Sequence, residues 1–206
     1  MQVFRYGEKE IRHLSRRDRK LGAAIDEIGM IEREVNPDLF AALVASIASQ
    51  QVSAKAAETV WSRMEARFGQ ITPAAIAAVT VDEIQQCGMS ARKAGYIRGI
   101  GNAVINGSLD LARLHTLPDN DVIAHLTCLK GVGVWTAEML LIFSMERPDV
   151  LSWGDLAIRR GMMQLYGKDT IDRATFERYR KRYSPYGSVA SLYLWEISHR
   201  KGWEKP

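Results

Sequence analysis

The sequence contains few cysteines and no long apolar run. Cys87 and Cys128 are the only cysteines among 206 residues, and they do not form a CxxC pair. This excludes a disulfide framework and four-thiolate zinc or iron–sulfur sites, and it is typical of a reducing, cytoplasmic compartment. No window approaches the roughly 18 consecutive apolar residues of a transmembrane span. Residues 1–20 are rich in Arg, Lys and Glu and lack the apolar segment of a secretory signal.

Excess charge of one sign is also small. The chain has 28 Lys and Arg against 24 Asp and Glu, which gives a formal net charge of +4. Such an excess permits a nucleic-acid partner without identifying one. Residues 12–20 form a local basic cluster, for which phosphate contact and a solvated helix face are alternatives. His125 and Cys128 stand at i, i+3 without a nearby third ligand, which argues against a zinc site.

The apolar pattern that is present has a helical period. Leu39, Leu43 and Ile47 recur at helical spacing behind Asn36-Pro37, where a capping side chain precedes proline. Other helix starts are predicted at Ser53, Thr72-Pro73, Ser90 and 119–121, and further helices over about 134–145, 156–166, 175–183 and 189–200. No segment shows the alternation of a half-buried strand. The sequence therefore predicts an all-α protein of about ten helices.

The most informative segment is LKGVGVWTA, residues 129–137. Gly131 and Gly133 permit a very tight turn between two helices. Amides at the start of the second helix then form a ready anion site. A corner that needs glycine for geometry alone is an equal alternative. Carbonyl groups on the side where the first helix enters the turn are candidates to hold a monovalent cation. They are those of Thr127, Leu129 and Val132.

This segment resembles the helix-hairpin-helix of the HhH-GPD DNA glycosylase superfamily. Three further segments resemble the same superfamily in the right order: IASQQVS at 47–53, SWGD at 152–155, and YSPYGS at 183–188 followed by Trp195. The last of these resembles the DNA-3-methyladenine glycosylase II branch. The resemblance covers about residues 20–202. It implies one all-α domain over 1–206, with two helical lobes around a cleft. Too few residues precede the first matched helix to hold the extra N-terminal β-rich domain that some members carry.

The resemblance implies that Asp155 is the catalytic carboxylate. Such a group stabilises oxocarbenium character on the sugar and orients the attacking water. Taken alone, an aspartate at the start of a helix is typical of an N-cap. Trp135 occupies the position of the lysine nucleophile of bifunctional members, and an indole cannot form a Schiff base. The resemblance therefore implies a monofunctional enzyme without AP-lyase activity, which requires no cofactor.

Aromatic residues are candidates for the base pocket. Trp135 and Trp195 match pocket positions of the alkylpurine branch, with Met139 and Trp153 as further candidates. Indole faces attract the cationic ring of a 3- or 7-methylated purine. Core packing is the alternative for both matched tryptophans. Met139 stands where the branch can place an aromatic residue, and Gly187 where it often has arginine, and both departures leave the lesion range open.

The partner implied is double-stranded DNA with a damaged base, bound by a monomer. Gln51 matches the position that fills the gap left by a flipped nucleotide. The remaining predicted DNA contacts are Gln50, Ser53, Lys130, Gly131, Gly133 and Thr136, and an ordinary helix–helix turn is the alternative for those in the 47–53 segment. Two other functions remain open at this point: a glycosylase for a deaminated or oxidised base, and a non-catalytic DNA-binding protein.

Overall fold

A computed structural model describes residues 2–200, and helices account for nearly all of its regular structure. In chain order, the first part contains β1 (Gln2–Val3), α1 (Glu8–Arg17), α2 (Arg19–Ile28), β2 (Glu34–Val35), α3 (Leu39–Ala48), α4 (Ala54–Phe68), α5 (Pro73–Ala78) and α6 (Val81–Gln85). The second part contains α7 (Ala91–Ile105), α8 (Leu111–Leu114), α9 (Asp119–Thr127), α10 (Val134–Phe143), α11 (Leu156–Tyr166), α12 (Arg173–Tyr183) and α13 (Gly187–His199). The predicted all-α fold is confirmed.

The chain divides into two compact units. Unit 1 contains the described residues up to Val35 and those from Leu141 onward, and unit 2 is Asn36–Leu140. Unit 2 therefore interrupts unit 1 in sequence, and α10 begins in one unit and ends in the other.

Local capping explains where many helices begin. The side chains of Ser53, Thr72 and Ser90 accept backbone N–H groups at the starts of α4, α5 and α7, as predicted. The predicted start at Asn36 is wrong. α3 begins at Leu39 because Asp38 caps it, and the Asn36 side chain instead accepts the Asp38 N–H at 3.0 Å.

Several elements differ from the sequence-based expectation. α1 and α2 are unpredicted helices, and α6 begins with an unpredicted capping box in which Thr80 and Glu83 satisfy each other's backbone N–H groups. β1 and β2 pair antiparallel, with Gln2 opposite Val35. Each strand has two residues, which is too short to show an alternating pattern in the sequence.

In unit 1 the core forms around α13, which is buried along most of its length. α13 packs against both α11 and α2. A β-carbon on Gly161 of α11 would lie 2.0 Å from the carbonyl oxygen of Leu194 in α13. Glycine at 161 therefore lets the two backbones approach, and this contact fixes α11, the helix that Asp155 precedes, against the core.

In unit 2 the central helix is α7, which packs against α3, α5 and α6. Ile76, Ile97 and Ile100 are among the buried side chains of this core. α7 is therefore held in place by three helices, and loops that contact the rest of its surface pack against a rigid element. Within residues 2–200, no helix combines the length and the hydropathy needed to cross a membrane.

Candidate active site

Asp155 lies at the N-terminus of α11 and is 7% exposed. One of its carboxylate oxygens, Oδ1, accepts the N–H groups of Ala157 at 2.8 Å and Ile158 at 2.9 Å. The N-cap prediction is thus confirmed. Capping also gives the carboxylate one fixed orientation, at the positive end of the helix dipole, where negative charge is favoured. A cap and a chemical role are therefore compatible in this residue.

Trp153, two residues earlier, is half-buried among side chains of α11 and α12. The guanidinium carbons of Arg159 and Arg173 lie 4.8 and 5.2 Å from the centroid of its ring. The ring of Phe176 packs edge-on, with 5.1 Å between the ring centroids. These contacts tie the loop that precedes Asp155 to two helices.

Trp195 is 9% exposed on α13 and stacks against Phe143, with 5.5 Å between ring centroids and 29° between ring planes. This placement agrees with the core-packing alternative, and the pocket role remains a prediction. Gly187, at the start of the same helix, is one of the two departures from the resembled branch.

Asp149 anchors the start of α13. Its carboxylate accepts the Ser184 hydroxyl at 2.6 Å and the Gly187 N–H at 3.0 Å. A β-carbon at position 187 would lie 2.9 Å from Asp149 Oδ1, so a larger residue would displace this anchor. Asp149 was not predicted, since nothing in its local sequence marks a partner 38 residues away.

The predicted hairpin is present in unit 2, between α9 and α10. Gly131 has a φ of 90°, in the region that favours glycine. A β-carbon at Gly131 would lie 2.5 Å from Cδ2 of Tyr96, a residue of α7 that sequence reasoning missed. Val132 N–H donates to the Leu129 carbonyl at 3.1 Å and closes the turn. Glycine is thus required at 131 by both backbone conformation and packing.

Exposure varies sharply along the hairpin. Trp135 is 48% exposed, which disagrees with the core-packing alternative for this residue. Lys130 and Gly133 are exposed and Met139 is half-buried, whereas Thr136 is buried. A ligand can therefore reach the turn and the indole of Trp135 more readily than it can reach the Thr136 side chain.

The 47–53 segment contacts the hairpin directly. The side-chain amide of Gln50 donates to the carbonyl oxygen of Gly131 at 2.8 Å. Gln51 follows with an exposed side chain and a φ of 56°, which is uncommon for a residue other than glycine. Ser53 caps α4 through its hydroxyl oxygen. The structure thus brings together two segments that the sequence analysis assigned to DNA contact.

Each unit contains an open cavity. In unit 2 a cavity of about 350 Å³ lies against the hairpin and includes Gly95, Tyr96 and Lys130 in its lining. In unit 1 a cleft of about 510 Å³ is lined mainly by α1, including Arg12, Arg16 and Arg17 of the basic cluster, with His13 and Tyr186. Residues 2–200 contain no group of three or more His, Cys, Asp or Glu side chains placed to hold a metal ion.

Comparison with known proteins decides the family. Residues 44–185 match the family model described as HhH-GPD superfamily base excision DNA repair protein. The chain belongs to the HhH-GPD superfamily.

Similarity to individual proteins supports the assignment to the HhH-GPD superfamily. The chain is 34% identical over 169 residues to DNA-3-methyladenine glycosylase 1 of Schizosaccharomyces pombe, an alignment covering 80% of this chain and 74% of the relative. A crystal structure of a DNA-3-methyladenine glycosidase from Bacillus halodurans has a TM-score of 0.87 and 37% identity, covering 97% of this chain and 93% of the other. The S. pombe 3-methyladenine DNA glycosylase in complex with abasic DNA has a TM-score of 0.79 and 30% identity, covering 94% and 100%.

The residues matched to the HhH-GPD family contain three of the four resembling segments in full: 47–53, 129–137 and 152–155. The fourth begins inside the match and runs past its end at residue 185, and Trp195 lies beyond it. The resemblance to the 3-methyladenine glycosylase branch is confirmed by the names of the relatives.

Proposed function

We propose that this chain is a monofunctional DNA glycosylase that releases alkylated purines, of the 3-methyladenine and 7-methylguanine type, in base excision repair. The observation that carries the proposal is Asp155, whose carboxylate is oriented by two amides at the N-terminus of α11 and matches the catalytic position of the resembled family. The names of the relatives support alkylated bases as the substrate class.

The reaction breaks the bond between the base nitrogen and C1′ of the sugar. As the base leaves with the bonding electrons, positive charge develops on the sugar, and the Asp155 carboxylate stabilises it. Water then bonds to C1′ and loses a proton, for which the carboxylate is the nearby acceptor. The products are the free base and an abasic site. Because an N3- or N7-alkylated purine is already cationic, it leaves without a strong general acid.

In this proposal the indoles of Trp135 and Trp195 hold the cationic base, with Met139 as a pliable neighbour. Such a cation–π contact contributes about 1–2 kcal/mol when it is desolvated. We leave Trp153 out of the pocket. The guanidinium groups of Arg159 and Arg173 already lie on its ring, and they would repel a cationic purine.

The hairpin binds a DNA phosphate through the turn at Lys130, Gly131 and Gly133 and the first turn of α10, which includes Thr136. Gln51 fills the space vacated by the flipped nucleotide, and Gln50 and Ser53 lie beside the strand. We also propose that the carbonyl oxygens of Thr127, Leu129 and Val132 bind a monovalent cation. The Leu129 carbonyl accepts one turn hydrogen bond and retains a second lone pair for this purpose.

Monofunctional chemistry follows from Trp135. A lyase of this superfamily needs an amine that attacks the sugar and forms a Schiff base, and an indole nitrogen does not supply one. Borohydride should therefore trap no covalent complex between this protein and lesion-containing DNA. A trapped complex would contradict the monofunctional assignment and leave the glycosylase assignment intact.

The deciding experiment uses a panel of duplexes that each carry one lesion: 7-methylguanine, 3-methyladenine, hypoxanthine, uracil or 8-oxoguanine. Free base is measured by mass spectrometry, and strand breaks are measured with and without alkali. We expect release of the methylated purines, with strand breaks only after alkali. Release of another base alone would replace the substrate class, and binding without any release would identify a non-catalytic DNA-binding protein.

A further inference from the structure

Lys93, on α7, contacts the end of α3 and the turn that follows it. Its ammonium donates to the carbonyl oxygen of Ala48 at 3.0 Å and to that of Gln50 at 2.5 Å. Ala48 is the last residue of α3. The carbonyl groups of the last helical turn receive no hydrogen bond from within the helix. A cation there also interacts favourably with the helix dipole.

We propose that Lys93 is a positioning residue for lesion recognition, which holds the turn from Ala48 to Gln51 in the conformation that presents Gln51. The inference rests on the proposed gap-filling role of Gln51. Nothing in the four family-like segments pointed to Lys93, which lies outside all of them.

The contact between Lys93 and the Gln50 carbonyl explains how Lys93 restrains the conformation of Gln51. The carbonyl of Gln50 belongs to the peptide group that joins Gln50 to Gln51. By holding this oxygen, Lys93 fixes the plane of that peptide group and thereby restrains φ of Gln51, which is 56°. A left-handed conformation costs a residue with a β-carbon about 1–2 kcal/mol. The surrounding structure must therefore hold it, and Lys93 supplies a contact at the required place.

The same turn is attached to the hairpin, and α7 contacts both. The Gln50 side chain donates to the Gly131 carbonyl at 2.8 Å, while Lys93 holds the Gln50 main chain. Tyr96, one helical turn after Lys93, packs so closely against Gly131 that a β-carbon there would meet its ring. Lys93 and Tyr96 thus share one face of α7 and fix the gap-filling turn and the hairpin relative to each other.

A simple C-terminal cap of α3 is the competing explanation, and it makes a different prediction. A cap would add stability without affecting how the protein distinguishes damaged from intact DNA. A general electrostatic contribution of Lys93 to DNA binding can also be distinguished from positioning, because it would change the affinities for damaged and intact DNA by the same factor. The quantity to measure is therefore the ratio of two affinities.

The test compares Lys93→Met with Arg92→Met as the matched control, since Arg92 is an exposed cation on the same turn of α7. Affinity is measured for a duplex with a tetrahydrofuran abasic site and for the undamaged duplex at one salt concentration. We expect Lys93→Met to lower the preference for the abasic duplex at least about tenfold. Arg92→Met should weaken both affinities equally and leave the ratio unchanged. An unchanged ratio in Lys93→Met overturns the inference.

A double-mutant cycle with Gln51→Ala shows whether Lys93 acts through Gln51. If it does, Lys93→Met should lower the ratio little further in the Gln51→Ala background. Independent losses that multiply would overturn the inference. If Gln51→Ala lowers the ratio but Lys93→Met does not, only the role of Lys93 falls. If Gln51→Ala has no effect, the gap-filling role falls together with this inference, while base release in the lesion panel still decides the enzymatic proposal.

Chemical rescue covers the case in which Lys93→Met folds poorly. Lys93→Cys is prepared in a Cys128→Ser background, because Cys128 is exposed whereas Cys87 is buried. Treatment with 2-bromoethylamine then converts the new thiol into a thioether that carries an ammonium group at nearly the length of lysine. We expect the treated protein to regain the preference for the abasic duplex. Recovered folding without recovered preference would overturn the positioning role.

Discussion

Gly161 faces Leu194 so closely that a β-carbon at position 161 would lie 2.0 Å from the Leu194 carbonyl oxygen. The atom in the way belongs to the backbone of α13, so no side-chain rotation relieves the clash. We expect Gly161→Ala to lower the free energy of unfolding by about 3 kcal/mol or more, at the upper end of the cost of overpacking. Denaturant unfolding measures the loss.

Gly99→Ala is the matched control. Gly99 is also helical, in α7, but a β-carbon there would meet no atom within 4 Å. Alanine should therefore raise the free energy of unfolding by about 0.5–1 kcal/mol, because it restricts the unfolded chain and favours the helix. If Gly161→Ala were as stable as Gly99→Ala, the result would contradict the close packing of α11 on α13.

Tyr166→Phe tests a buried polar network in unit 1. The Tyr166 hydroxyl contacts Asp18 Oδ2 at 2.5 Å and the Tyr183 hydroxyl at 2.6 Å, and Arg182 donates to the same carboxylate oxygen at 2.7 Å. Removing the hydroxyl leaves buried partners with fewer hydrogen bonds. We expect a loss of about 1–3 kcal/mol. Glu8→Gln, which breaks the exposed ion pair with Arg12, should change stability by less than about 1 kcal/mol.

The same network predicts a dependence on high pH. Burial raises the pKa of Tyr166 above that of an ordinary phenol, and neighbouring Tyr183 and Asp18 raise it further. The folded protein therefore keeps this proton when the unfolded chain loses it, and stability falls as pH rises above about 10. In Tyr166→Phe the fall should be shallower by about 1.4 kcal/mol per pH unit. Equal slopes in the two proteins would contradict this assignment.

The parts of the fold that the sequence predicts are those governed by local interactions. Ser53, Thr72 and Ser90 each cap a helix through a backbone N–H three residues ahead, so the signal and the structure lie together. α1 was missed for a related reason. Leu14 is its only buried residue, and its two apolar positions, Ile11 and Leu14, are too few to produce a recognisable helical period.

The unpredicted parts of the site depend on contacts between residues far apart in sequence. Lys93 reaches carbonyl oxygens 45 and 43 residues away, and Asp149 holds Gly187 across 38 residues. Main-chain carbonyl groups are present at every position, and N–H groups at every position except proline, so no residue type marks them as partners. The family resemblance located the hairpin and Asp155, but it carried no information on what supports them.

Asp155 variants separate capping from chemistry. In Asp155→Asn, the amide oxygen can still accept the Ala157 and Ile158 N–H groups, but the negative charge is lost. We expect stability to change by less than about 1 kcal/mol, while the rate of base release falls at least about 100-fold. Asp172→Asn is the control, since Asp172 caps α12 through the Thr175 N–H at 2.7 Å. It should retain full activity.

Single-turnover release of 7-methylguanine measures both variants. Full activity in Asp155→Asn would remove Asp155 from the mechanism. Equal losses of activity in the two variants would attribute the effect to helix capping in unit 1 rather than to the charge at position 155.

The two glycines of the hairpin should respond differently to alanine. Gly131→Ala must place a β-carbon at a φ of 90° and 2.5 Å from the Tyr96 ring. The backbone conformation alone costs about 1–2 kcal/mol, so both stability and DNA affinity should fall. A β-carbon at Gly133 would meet no atom within 4 Å, so Gly133→Ala should fold normally. Its methyl group should nevertheless obstruct a phosphate at the exposed turn and lower DNA affinity.

Thermal unfolding and binding to the abasic duplex distinguish these outcomes. Replacing Tyr96 by leucine in the Gly131→Ala background should recover part of the lost stability, because it removes the ring but not the backbone cost. Unchanged DNA affinity in a folded Gly133→Ala would show that the phosphate does not approach position 133, because an added methyl group there has no other neighbour through which to act.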